Sequence, residues 1–389
     1  MSKNVLHTQI CDMLGVEYPI CLAGMGAVPG MPRTGKYYTG TSIELVAAIS
    51  NAGGFGVLGA AAISPEQIPE AVKEIRELTS KPFGIDLLFP MEIDTAIQEV
   101  IDEKKANLPR DYQDYYAWMD KMKEKYNLPD GEVKDYVKRG LEPDYVREQF
   151  DAALSAEGSV AICSGVGTSK WAVDRIHEAG KLSISLVGNV RQAKRVAELG
   201  SDIIVAQGTD AGGHTGKIGT FSLVPQVVDA VAPIPVMAAG GIGDARGLAS
   251  GFTLGAKGAW IGTAFLASQE TSITDQCREK ILDADENGTF ITRFFTGKTA
   301  RVIKHTIAEE WEEAGYRSLG MPLQIFSVIE LCECMEKSGK TELFMLPAGQ
   351  ISGMINEVKP AKKIFDDMIS GAVKMLKGGE LEGVTISEG

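Results

Sequence analysis

The chain has 389 residues, 44% hydrophobic and 23% charged, which is enough apolar material for a large core and argues against wholesale disorder. A net charge of -13 excludes the broad basic surface that nucleic-acid binding needs, so no nucleic-acid partner is expected. Only Cys332 and Cys334 of the six cysteines lie close together, and one intervening residue does not match a zinc pair; without a histidine cluster no metal is expected, and a reduced cytoplasmic chain is the simpler reading.

The first fifteen residues carry Lys3 and Asp12 and have no apolar signal core. The apolar run 19–25 predicts a first strand, followed by a long loop over 29–41 with Lys36, Tyr37 and Tyr38. Residues 45–63 contain no charge and are long enough to span a bilayer, but Asn51 and Gly53-Gly54-Phe55-Gly56 interrupt them. A helix over 42–52 and a strand over 55–59 explain the stretch better, so no membrane association is expected.

Further strands are expected at 82–88, 159–165, 182–188, 202–208, 235–241 and 258–266. Each is continuously apolar rather than alternating, the pattern of a parallel sheet covered on both faces. Helices fall between them at 65–80, 145–156, 169–179, 190–199, 221–231 and 245–254, with Gly180, Gly200 and Gly255 placed for left-handed caps. Eight strands alternating with helices predict an α/β fold of the (β/α)8 TIM-barrel type, one domain over 1–389. An open doubly wound sheet uses the same alternation, but the strand count and the glycine positions favour the barrel.

Two segments depart from the alternation. Residues 91–143, after the third strand, form a charged, aromatic and mostly helical insertion, broken at Pro109, Pro129 and Gly140. Because it leaves the carboxyl end of a strand it is expected, with the Lys36–Tyr38 loop, either to cap the active face or to form a dimer contact. The aromatics Tyr112, Tyr115, Tyr116 and Trp118 are too closely spaced for one helical stripe, so some are expected to face a ligand or partner. Residues 268–389 read as a mostly helical C-terminal extension with a final amphipathic helix near 361–376, and 379–389 are expected to fray.

The most specific chemical segment runs from Ala206 to Gly216, directly after the sixth strand. Gly212 and Gly213 allow close backbone approach to a flat ligand or an anion. His214 beside them is the one histidine on a predicted strand-to-helix loop of the active face and is the candidate catalytic residue. His7, His177 and His305 are read as structural. Gly240 and Gly241 after the seventh strand, and Gly262 and Thr263 after the eighth, sit where barrels bind phosphate through backbone N–H groups.

These segments resemble the nitronate monooxygenase (2-nitropropane dioxygenase) family of FMN barrels, which is similar in sequence to FMN-type enoyl-ACP reductases. The likeness runs through Tyr18-Pro19-Ile20, Ser50 to Gly54, Lys81 to Gly84, the His214 loop, Gly240-Gly241, Gly262-Thr263, Arg301 and Ala348-Gly349-Gln350. It implies FMN with its phosphate on Gly240, Gly241, Gly262 and Thr263, its ring near Ala23, Met25 and Gln207, and His214 on the substrate side. Asp86 and His305 stand where the family usually has asparagine; Asp86 can still accept a ribityl hydroxyl but disfavours negative charge on a reduced flavin nearby.

The resemblance implies oxidation of nitronates or nitroalkanes, with His214 binding the nitro group or removing an α-proton. The alternative is a reductase using NADH or NADPH as co-substrate for an enoyl thioester, quinone or ring ketone. A third reading is a barrel that binds a phosphorylated metabolite without redox chemistry. All imply a small-molecule substrate, and the sequence leaves a homo-oligomer open.

Overall fold

The computed structural model describes residues 6–26, 28–88, 111–132, 139, 142–165, 168–321 and 323–377. Its strands are β1 (Ile20–Leu22), β2 (Gly56–Gly59), β3 (Phe83–Leu87), β4 (Ser159–Ser164), β5 (Leu182–Val187), β6 (Ile203–Gln207), β7 (Gly213–His214), β8 (Val236–Ala239), β9 (Gly258–Ile261), β10 (Thr289–Thr292) and β11 (Ala300–Ile303). Eight of them form one parallel sheet in the order β1-β9-β8-β6-β5-β4-β3-β2. A parallel bridge between Cys21 and Phe55 joins its two ends: Phe55 N–H donates to the Ile20 carbonyl and Leu22 N–H to the Phe55 carbonyl, each at 2.9 Å. The sheet is therefore closed into a barrel.

The eight barrel strands are buried on both faces over most of their length, which is why the runs read as continuously apolar. Cys21, Val57, Cys163, Ile184, Ile203, Val205, Met237 and Trp260 fill the barrel interior. Their chain neighbours, such as Ile20, Leu22, Leu58, Ile204 and Ala206, pack outward against the helices. Those helices are α2 (Ile43–Asn51), α3 (Gln67–Leu78), α5 (Pro143–Leu154), α6 (Lys170–Glu178), α7 (Val190–Glu198), α8 (Thr220–Val231) and α9 (Ala245–Thr253), preceded in the chain by α1 (Gln9–Leu14), while α4 (Asp111–Lys125) belongs to the insertion. Ser42, Asn189 and Asp244 cap α2, α7 and α9 with side-chain oxygens. Gly180, Gly200 and Gly255 take the left-handed conformation after α6, α7 and α9. The charge-free stretch resolves into α2 and β2, and among the described residues no helix is long and apolar enough to cross a membrane.

The C-terminal extension holds α11 (Asp275–Leu282), α12 (Thr306–Glu313), α13 (Leu323–Ser338) and α14 (Ala361–Leu376), after the short α10 (Thr263–Leu266) that follows β9. Helix α14 matches the expected amphipathic helix at 361–376; residues 379–389 lie outside the described residues. The extension is less purely helical than expected, because β10, β11 and β7 form an antiparallel sheet. In that sheet the central strand, Ala300–Ile303, is buried on both faces, whereas Ile291 of the edge strand β10 stays exposed.

Of the 91–143 insertion, residues 91–110 and 133–138 lie outside the described residues. The described helix α4 packs on α12 and α13 in a second core with Phe294, Trp311, Val328 and Leu331. Tyr115 is buried and its hydroxyl accepts from Gln324 Nε2 at 2.7 Å; the Tyr116 hydroxyl lies 2.9 Å from Ser327 Oγ; Trp118 stacks on Tyr115 and meets Tyr316. These three aromatics have partners within the chain, and the Tyr112 side chain lies outside the described residues. In the Lys36–Tyr38 loop, Lys36 and the Tyr37 hydroxyl both reach Glu74 on α3 at 2.9 Å, whereas Tyr38 lies under the Arg33 guanidinium.

Candidate active site

The carboxyl ends of the parallel strands open into a cavity of about 350 Å³. All eleven residues singled out in the sequence line it. Ala23 and Met25 follow β1, and Asp86 lies on β3. Gln207 ends β6, and Gly212, Gly213 and His214 follow it. Gly240 and Gly241 follow β8, and Gly262 and Thr263 follow β9. Topology brings them together, because every parallel strand delivers its carboxyl end to the same face.

Gly240 and Gly241 take φ values of 88° and 73°, a backbone conformation in which an L side chain is strained. A Cβ on Gly240 would also stand 3.0 Å from the Ala211 amide nitrogen. Among the described residues, the amides of Gly240, Gly241, Gly262 and Thr263 have no acceptor. The Thr263 hydroxyl accepts from Gly349 N–H at 2.9 Å and keeps its own proton to donate. Four free N–H groups and one hydroxyl, with no carboxylate engaged among them, form a cradle for an anion.

The His214 segment is held from three sides. Gln207 Nε2 donates to the His214 carbonyl at 2.6 Å. Gly213 and His214 pair with Arg301 and Ala300, so the residue placed on a loop by the sequence sits in a short strand, β7. Arg301 also donates through Nε to the Thr209 carbonyl at 3.0 Å, tying the start of the same loop to β11. At the end of the loop Gly212 and Gly349 pack backbone to backbone: a Cβ on Gly212 would lie 2.6 Å from Ala348 Cα, and one on Gly349 would lie 2.6 Å from the Asp210 carbonyl oxygen. The Gly212 requirement thus arises from chain packing as well as from the cavity.

His214 Nε2 lies 2.7 Å from the hydroxyl of Thr296, which is itself buried. Protein packed around the ring desolvates it and, with the Lys298 charge, lowers its pKa to about 4. The ring nevertheless keeps accessible surface, because that surface lies on the cavity it lines. At neutral pH His214 is uncharged. Opposite, Asp86 has an Oδ1 that is buried without a partner, and burial alone raises its pKa to about 7.

The extension supplies the cavity residues that sequence reading missed: Phe295, Thr296, Met321, Ile325, Pro347, Gly349 and Ile351. Only Ala348-Gly349-Gln350 had left a signal, through its place in the resemblance. His305, the other departure from the family pattern, is not in the cavity; it is buried against Phe294 with neither ring nitrogen bonded, and desolvation drives its pKa down to about 3.

A profile of the nitronate monooxygenase family matches residues 7–371. Rv1533 of Mycobacterium tuberculosis, named as a monooxygenase, is 33% identical over 396 residues, covering 97% of this chain and 99% of that one. A probable nitronate monooxygenase of Staphylococcus aureus is 30% identical, covering 93% and 96%. Among solved structures, FabK from Thermotoga maritima aligns with a TM-score of 0.72 at 27% identity, over 96% of this chain and 98% of its own. Nitroalkane oxidase from Streptomyces ansochromogenes aligns with a TM-score of 0.75 at 24% identity, over 95% and 99%, a likeness of fold. With the barrel, the cavity and these likenesses together, the chain belongs to the nitronate monooxygenase family of FMN-dependent oxidoreductases.

Proposed function

We propose that the chain oxidises nitronates, the anionic forms of nitroalkanes, with FMN held in this cavity and dioxygen as the second substrate. The observation that carries the reading is that an anion cradle and a neutral histidine line one cavity. The residues present fit FMN. The free amides after β8 and β9 suit a terminal phosphate, and the glycine-lined backbone allows close approach. The unpartnered Asp86 Oδ1 needs a polar group that the protein does not supply.

Gly240, Gly241, Gly262 and Thr263 would hold the phosphate, and Asp86 would meet the ribityl chain or the ring. Ala23, Met25 and Gln207 would flank the ring, with Gly212 and Gly213 giving it room. When bound, FMN supplies the redox chemistry, accepting electrons from the substrate and passing them to dioxygen.

His214 contributes orientation and proton control. Uncharged at pH 7, it can give a hydrogen bond to a nitronate oxygen through the ring nitrogen that Thr296 does not engage. A nitronate needs no deprotonation, whereas a neutral nitroalkane must lose its α-proton. A base with a pKa near 4 performs that step poorly until an anion beside it raises the value. Phe295, Met321 and Ile325 give the cavity an apolar wall, which limits water at the reacting centre.

The second reading is a reductase fed by NADH or NADPH, which the resemblance to FMN-type enoyl-ACP reductases favours. We place the enzyme in the cytoplasm, a reading supported by six buried and unpaired cysteines. Purified protein should carry non-covalent FMN, identified after acid release, and should consume oxygen with propionate 3-nitronate. Release of FAD, or failure to take up any flavin on reconstitution, contradicts the proposal.

A further inference from the structure

Asp86 is an acid in an unusual setting. Its side chain fills the space left by Gly24, where an added Cβ would collide with the carboxyl group. Register pairs it with Gly59 on β2 and Cys163 on β4, and neither brings a positive charge. The thiols of Cys163 and the neighbouring Cys21 are pushed upward by burial and stay protonated. Across the cavity His214 is neutral, and the Asp210 carboxylate accepts from Thr220 N–H at 2.7 Å. The Lys298 charge acts on His214, and among the described residues Asp86 has no ion pair.

We propose that Asp86 meets the cofactor as a neutral carboxylic acid, donating a hydrogen bond to it, so that FMN binding is coupled to uptake of one proton by this side chain. The inference rests on the FMN reading above. The geometry requires it in two ways. A carboxylate with a buried, bare Oδ1 and no cation beside it among the described residues is costly, whereas the protonated acid offers one donor and one acceptor to a polar ligand. A ligand filling the cavity also removes the remaining water from the carboxyl group, which penalises the charged form further.

The sign follows from linkage. Without cofactor the carboxyl titrates near 7, and in the complex it titrates higher. Below the lower value both states hold the proton and affinity is flat; between the two values binding takes a proton from solvent and affinity falls, by at most about tenfold per pH unit, until above the higher value neither state holds it.

The test is FMN affinity of the apoprotein, by quenching of flavin fluorescence, from pH 7.5 to 9. A phosphate monoester, with a second pKa of about 6, no longer changes charge in that window. For the wild type Kd should rise at least about fivefold, while for Asp86→Asn, neutral throughout, it should change less than about twofold. Calorimetry of the wild type at pH 8, in two buffers of different ionisation enthalpy, should show proton uptake on binding, and this result does not depend on the variant folding. Equal pH dependence in the two proteins, or binding without proton uptake, overturns the inference while leaving FMN in place. A wild type that takes up no FMN at any pH overturns the cofactor reading and this inference with it.

Discussion

His214 and Thr296 meet across 82 positions of sequence, and under the proposed function their 2.7 Å contact leaves the other ring nitrogen for the substrate. Replacing His214 with alanine removes that group without touching the cradle at Gly240, Gly241 and Thr263. The variant should therefore retain FMN and lose about 10²–10⁴-fold in turnover. Thr296→Val should keep the histidine but release its ring, lowering turnover by a smaller factor, with Thr296→Ser restoring it. Steady-state kinetics with flavin content measured on the same samples checks both. Near wild-type turnover in His214→Ala makes the residue a packing element. His214 could be picked out in the sequence because two glycines flank it locally. Thr296 could not, since a threonine gains a role only from a neighbour brought in by folding. Asp86 stood out as a departure from a pattern, yet its missing partner is a property of three strands and of the turn at Gly24.

At the scale of elements, the parallel strands were legible as short continuously apolar runs and their covering helices as amphipathic stretches, several of them ending in glycine. The final helix was legible over its whole length, Ala361–Leu376. The β10–β11 hairpin was not, because its strands are four residues each and read as part of a polar stretch. The contacts of the insertion were hidden for a related reason: aromatics crowded on one helix suggested a ligand or partner, and α13 supplies hydrogen-bond partners for Tyr115 and Tyr116 from about 200 positions later. Helix α4 consequently lines no part of the cavity among its described residues; it braces α13, whose Ile325 does. Tyr115→Ala should then cost about 3–5 kcal/mol, as for a large buried aromatic, whereas Tyr115→Phe should cost about 1 kcal/mol for one lost hydrogen bond. Urea unfolding followed by circular dichroism measures both. Equal stability of the alanine variant would mean that α4 does not support the second core.

For the molecule as a whole, the barrel brings one half of the site and the extension the other. The anion cradle, the Asp86 wall and the His214 loop come from strand ends. Thr296, Phe295, Ile325 and the Pro347–Ile351 segment close the opposite side. Under the proposed function this division would leave the cofactor with the barrel and give the extension a share in selecting the substrate. The central claim is that electrons enter from a nitronate at this cavity, and the direct measurement is anaerobic stopped-flow absorbance of the FMN-loaded protein. Mixed in parallel with propionate 3-nitronate, NADH and NADPH, the flavin band should bleach rapidly and saturably with the nitronate and slowly with either nucleotide. Rapid bleaching by NADH or NADPH, with none by the nitronate, would contradict the account and make the protein a pyridine-nucleotide-dependent reductase.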